Sequence, residues 1–182
     1  MADSGLTGIL LAGGASSRFG SPKAFARFGG ETLAERAWRL LGELCEERIA
    51  VGRHEGLPFP ALADEATGPV AAIAEGIRNA THDVAVVIPV DMPLLTPAAL
   101  RLLPESCRDA AVAQAGPLPC AVARRALPAF ETGERRLRTV LEGLDTAHVE
   151  LDPSVLANVN EPADLQAISS ASRSSSAARL AP

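Results

Sequence analysis

Two basic side chains, Arg18 and Lys23, follow a pair of glycines, Gly13 and Gly14, in the stretch GILLAGGASSRFGSPK over residues 8–23. A glycine turn after an apolar run lets phosphate oxygens approach the backbone, because glycine has no Cβ and tolerates unusual φ. Consecutive N–H groups in such a turn meet anions. Arg18 adds a planar fork of donors and Lys23 a compact charge. The spelling is neither the P-loop pattern G-x-x-x-x-G-K-[ST] nor the dinucleotide pattern G-x-G-x-x-G. An ordinary P-loop NTPase and a dehydrogenase are therefore set aside. The bland alternative is a strand-to-helix turn whose Arg and Lys face water. Both cations at fixed offsets from the glycines favour phosphate binding.

Carboxylates complete the pattern. Asp91 ends the apolar run DVAVVIPVD (83–91), and Asp64 follows a second short apolar segment. An unpaired charge is costly in a core, so Asp91 belongs at the end of its strand. There it either binds a hard cation, as magnesium sites do with one or two carboxylates plus phosphate oxygens, or serves as a turn or N-cap aspartate.

The elements that must position these groups read as follows. LTGILLA (6–12) is a short buried strand. ETLAERAWRLLGEL (31–44) is an amphipathic helix with Leu33, Ala37, Leu40, Leu41 and Leu44 on one face. RIAVG (48–52) is a strand, and a loop with two prolines follows it. GPVAAIAEGIRNA (68–80) is a helix with Pro69 in its first turn. The run at 83–91 is a central strand buried on both faces. TPAALRLL (96–103) is a helix with an N-cap and proline start. Further on, DAAVAQAG and PCAVARR pair as strands, RALPAF and ERRLRTVLEGL are helical, AHVEL is a last strand and EPADLQAI a last helix. Strand–helix alternation predicts a mostly parallel sheet with helices on both faces. Ligands then collect at the carboxyl ends of the strands. That edge would bring together Gly13, Gly14, Arg18 and Lys23 with Asp64 and Asp91, an arrangement suited to a nucleotide and its magnesium ion.

Composition bounds the rest. The 182 residues are 47% hydrophobic and 21% charged, which is the balance of an ordinary globular chain. One domain over 1–168 is expected, with a disordered Ser/Ala-rich tail over 169–182. A net charge of −5 and the absence of Tyr argue against nucleic-acid binding. Cys45, Cys107 and Cys120 are odd in number and widely spaced, so they read as free thiols of a reducing cytosol. His54, His82 and His148 are scattered singly. No run approaches the ~20 apolar residues of a membrane helix. A cytoplasmic monomer is expected.

The motifs together carry a resemblance. LAGGASSRFGSPK resembles the LAGG-x-S-x-R-M-G-x-x-K signature of the molybdenum cofactor guanylyltransferases. GPVAAIAEGI resembles their G-P-L-A-G segment, and VVIPVDMPLL their strand-end D-M-P. TGERRLRTVL and NVNEPADL resemble their G-E-R-R and N-V-N-x-P-x-D-L motifs. The matches run in order from about residue 8 to residue 168. The first motif marks the wider nucleotidyltransferase superfamily, while the doubled glycine and the NVN segment narrow it to this family.

The resemblance implies a Rossmann-like α/β three-layer sandwich that transfers GMP from GTP to the molybdenum-bound pterin phosphate. The products would be the guanine dinucleotide and pyrophosphate. It implies Mg²⁺ held by Asp91. Leu11, Ala12, Gly13 and Gly14 would lie against the nucleotide, Lys23 on phosphate, and Asp64 on the nucleoside side. Arg18 and Lys23 would offset charge at the reacting phosphates. Asn158 and Asn160 would lie toward the pterin. Molybdoenzymes or their chaperones would be downstream partners. A cytidylyltransferase for the same cofactor, a guanylyltransferase for another small phosphate, and a non-catalytic GTP-binding adaptor are the alternatives. Three positions depart from the family pattern: Phe19 for Met, Ala72 for Gly, and Gly52 where some members place an Asn.

Overall fold

The computed structural model describes residues 5–13, 22–52, 55–63 and 68–169. Gly14, Arg18, Phe19, His54, Asp64 and the tail over 170–182 lie outside the described residues.

A seven-stranded sheet carries the fold: β1 (Leu6–Leu11), β4 (Glu47–Val51), β5 (Ala61–Leu62), β6 (Val84–Pro89), β7 (Ala110–Ala113), β8 (Cys120–Ala123) and β9 (Thr146–Val149). Its order is β5-β4-β1-β6-β8-β7-β9. All pairings are parallel except the two made by β8, which is antiparallel to both β6 and β7. The expected mostly parallel sheet is therefore present. Strand β5 falls inside the proline loop, where two residues give no period to read. A small hairpin, β2 (Arg27–Phe28) with β3 (Glu31–Thr32), stands apart from the sheet. It turns through Gly29 and Gly30, both at positive φ.

Strand side chains alternate between faces, so one sheet makes two cores. Leu10, Val86, Ile88, Ala111 and Ala121 meet α1 (Leu33–Gly42) and α3 (Pro97–Ser106) on one side. Ile9, Leu11, Ala85, Val87, Val112 and Val122 meet α2 (Pro69–Asn79), α4 (Leu127–Phe130) and α5 (Leu137–Glu142) on the other. Burial of Ala85 through Ile88 matches the expectation for a central strand covered on both faces. Helix α1 begins with a capping box: Thr32 Oγ1 accepts the Glu35 N–H at 3.1 Å, and Glu35 returns to the Thr32 N–H at 2.7 Å. It buries Leu33, Ala34, Ala37, Leu40 and Leu41, while Leu44 lies past its end and is half-buried. Helix α3 starts as expected, with Thr96 accepting the Ala99 N–H and Pro97 next in line. A last helix, α6, covers 162–169 and so includes Ser169, the first residue assigned to the tail.

Among the described residues no helix is long and apolar enough to cross a membrane. All three cysteines are free, and burial pushes the Cys45 thiol up to about 12 and that of Cys107 up to about 11. His148 is exposed and His82 half-buried.

Several carboxylates are held low by the fold. The Arg39 hydrogen bond lowers Glu31, and the Thr32 amide lowers Glu35. Burial pushes Glu47 up, but bonds from the fully buried Thr7 hydroxyl and the Thr81 amide outweigh it. A group lowered in the folded state adds stability above its unfolded pKa, near 4, and loses it as pH falls through the folded value. The urea midpoint should thus hold between pH 7 and about 5 and decline below that. A midpoint that stays level or rises down to about pH 3 would contradict this.

Candidate functional site

The strand order fixes where a ligand sits. From β1 the chain crosses to β4 on one side, and after β5 it returns to β6 on the other side of β1. The crevice at the carboxyl end of β1 is therefore a topological switch point, the place where open α/β sheets bind ligands. Gly13 follows β1, Gly52 follows β4 and Asp91 follows β6 closely. The sheet thus brings together the strand ends that the sequence marked.

Leu11 and Ala12 are buried, on opposite faces of the sheet, and Gly13 is the first exposed residue. What Leu11 and Ala12 offer a ligand is backbone, not side chain. The Ala12 N–H is already taken by the Val51 carbonyl at 2.9 Å.

Gly52 explains its own departure from the family pattern. Its φ is +145°, and a Cβ there would lie 2.8 Å from Gly13 Cα and closer still to the Gly13 nitrogen. Its N–H bonds the Leu62 carbonyl at 3.0 Å. Residue 52 is the surface on which the glycine loop begins, with no room for a side chain. Gly52→Ala should cost about 1–3 kcal/mol and displace Gly13. A lower urea midpoint is the expected result, and an unchanged midpoint would contradict it. Ala72 is equally intelligible: it is buried in the core beneath α2, where packing absorbs its methyl.

Asp91 is held from three directions. Before it, β6 is locked between β1 and β8. After it, Met92 is buried and the Arg36 side chain of α1 donates to the Pro93 carbonyl at 2.6 Å. Its own carbonyl accepts the N–H of Val159, a fully buried residue, at 2.8 Å. The carboxylate is thereby fixed at the crevice with its side chain only 21% exposed.

Lys23 opens a short 3-10 turn, Lys23–Phe25, anchored by the buried Ala24. Its Nζ donates to Asp91 Oδ2 at 3.1 Å and to Asn160 Oδ1 at 3.2 Å. Residues 68 and 137 positions away in the chain therefore converge on one ammonium. Asn158 and Asn160 flank the buried Val159 and are both exposed, but only Asn160 has a bond to Lys23. The N-terminus of α2 starts at Gly68, φ +129°, with no side-chain cap. Its first-turn N–H groups have no intrahelical acceptor and favour an anion.

Val159 and Asp164 are the V and D of the N-V-N-x-P-x-D-L motif but carry no role from sequence, and Arg36 belongs to no motif. Arg36 sits inside an amphipathic helix, and its target is a carbonyl 57 residues away, which no local pattern announces.

Among the described residues no group of three or more His, Cys, Asp or Glu converges as a metal cluster. The donors present still suit magnesium: one fixed carboxylate already holds a cation, and an amide oxygen stands beside it. Magnesium takes one or two carboxylates and draws the remaining oxygens from phosphate and water.

Residues 8–150 match the MobA-like NTP transferase domain family. A probable molybdenum cofactor guanylyltransferase of Chloroflexus aggregans is 35% identical over 194 residues, covering 90% of this chain and 93% of the relative. Solved structures share the fold, among them these two. A nucleotidyl transferase from Methanothermobacter thermautotroptrophicus has a TM-score of 0.79 at 20% identity, covering 92% of this chain and 97% of its own. The molybdopterin-guanine dinucleotide biosynthesis protein A of Archaeoglobus fulgidus has a TM-score of 0.76 at 21% identity, covering 92% and 99%. The crevice geometry and these likenesses agree, and the chain belongs to the molybdenum cofactor guanylyltransferase family of MobA-like NTP transferase domains.

Proposed function

We propose that this chain transfers GMP from GTP to the phosphate of the molybdenum-bound pterin, giving the guanine dinucleotide and pyrophosphate. The observation that carries the reading is the convergence of Lys23, Asp91 and Asn160 at the switch point of a family member's sheet.

The reaction asks little of a general base. A phosphate monoester has its second pKa near ~6, so the acceptor oxygen is largely ionised at neutral pH. That oxygen attacks the α-phosphorus of GTP, a new P–O bond forms, and the bond to the bridging oxygen of pyrophosphate breaks. The difficulty is two anions meeting and a third departing, which calls for positioning and positive charge. Lys23 brings an ammonium to the triphosphate from a turn whose backbone is already fixed. Gly13 admits phosphate oxygens to the backbone. Asn160 orients Lys23 and faces the acceptor side with Asn158. Arg18 adds its fork to the phosphates and Asp64 meets the nucleoside, roles that rest on the resemblance. Mg²⁺ held at Asp91 supplies positive charge to the phosphates when bound. The chain works in the cytoplasm and passes its product to molybdoenzymes.

Pyrophosphate release on adding the pterin cofactor to the protein, GTP and Mg²⁺ tests the reading. Turnover with GTP well above that with CTP is expected. Equal or faster turnover with CTP would make the chain a cytidylyltransferase. GTP binding without pyrophosphate would make it an adaptor.

A further inference from the structure

The carboxylate of Asp164 makes two bonds behind the crevice. Oδ2 accepts the backbone N–H of Asn160 at 2.7 Å and that of Glu161 at 2.8 Å. The Asp164 N–H returns to the Glu161 carbonyl at 3.0 Å. Asp164 is the third residue of α6, after Pro162 and Ala163. A carboxylate there that reaches back to the residue before the helix is half of a capping box. Capping accounts for the bond to Glu161. It does not account for the bond to Asn160, one residue further out.

That second bond falls on the residue whose side chain holds Lys23. Asn160 is exposed, so no packing fixes it. Its backbone is set from two sides: the buried Val159, bonded to the Asp91 carbonyl, lies before it, and the Asp164 carboxylate behind it. We propose that Asp164 is a positioning residue of the site, clamping Asn160 so that its amide oxygen steers the Lys23 ammonium beside Asp91. Bonds from the Asn160 and Glu161 amides hold the Asp164 carboxyl below the usual range, and the nearby Lys23 charge adds to this. The clamp stays ionised and closed at neutral pH. The kinetic arm of the test rests on the guanylyl-transfer reading, whereas the spectroscopic arm does not.

The test is a double-mutant cycle of Asp164→Ala and Asn160→Ala, read as kcat for GTP with the pterin acceptor. Asp164→Glu serves as the conservative variant. Misplacing a reacting group by about 1 Å costs up to ~100-fold in rate, so Asp164→Ala should lose on the order of 10-fold or more in kcat with GTP affinity nearly kept. Asn160→Ala should lose a similar factor, the double variant should be no worse than Asn160→Ala, and Asp164→Glu should recover most of the rate. In ¹⁵N–¹H spectra of the full chain, the Asn160 backbone amide should move upfield in Asp164→Ala. Losses that multiply in the double variant would make Asp164 a cap only and overturn the proposal. So would wild-type kcat in Asp164→Ala, or an Asn160 amide that does not move. Asp164→Ser, whose hydroxyl is one bond shorter than the carboxylate and withdraws from the Asn160 amide, replaces the Ala variant if that one does not fold. A wild-type chain that makes no dinucleotide would sink the guanylyl-transfer reading, and the amide shift would then decide the clamp alone.

Discussion

Asp91→Ala should lower guanylyl transfer by about 10²–10³-fold while GTP still binds within about tenfold of wild type. Removing one preorganised electrostatic group from a reacting centre costs roughly 10²–10³-fold, and Asp91 would take with it the carboxylate that Lys23 Nζ bonds at 3.1 Å. The variant should fold. What anchors residues 157–160 is the Asp91 backbone carbonyl, bonded to Val159, and that group survives the substitution. Asp91→Asn keeps an acceptor for Lys23 but loses the charge, and should be nearly as impaired if the carboxylate holds Mg²⁺. Turnover close to wild type in either variant at saturating Mg²⁺ would remove Asp91 as the metal ligand.

Lys23→Ala should weaken GTP binding by roughly 10- to 100-fold, about 1.4–2.8 kcal/mol, while guanosine binding changes by no more than about twofold. The turn that carries Lys23 is fixed by the buried Ala24 and by backbone bonds, among them the Ala26 N–H to the Lys23 carbonyl at 3.0 Å. The substitution therefore deletes the ammonium and little else. Calorimetric titration with each ligand separates the outcomes. Equal losses for GTP and guanosine would mean that Lys23 shapes the crevice and does not meet phosphate.

What the sequence made legible follows from how local each signal is. The run ending in Asp91 is apolar, β-branched and too short for a helix, and it is the central strand. Leu33, Ala37, Leu40 and Leu41 keep helical spacing and are buried together. The convergence of Gly13, Lys23 and Asp91 follows once the strands are parallel, and here the sheet agrees. Less accessible were features whose cause is another part of the chain. The glycine at 52 reads as a missing Asn until the Gly13 backbone is seen against it. Antiparallel β8 is two apolar residues and two alanines whose direction depends on the turn before it. Asn160 looks like one of two equivalent asparagines, and only the buried Val159 between them and the Asp164 clamp decide which one reaches Lys23. The roles expected of Arg18, Gly14 and Asp64 rest on the resemblance alone, and these residues lie outside the described residues.

The most direct test is incubation of the protein with Mg²⁺, the molybdenum-bound pterin and GTP labelled at the α-phosphate. Guanylyl transfer predicts label in a pterin–guanine dinucleotide and one unlabelled pyrophosphate per dinucleotide formed. Label that remains entirely in GTP, with the nucleotide bound and the pterin unchanged, would contradict the account.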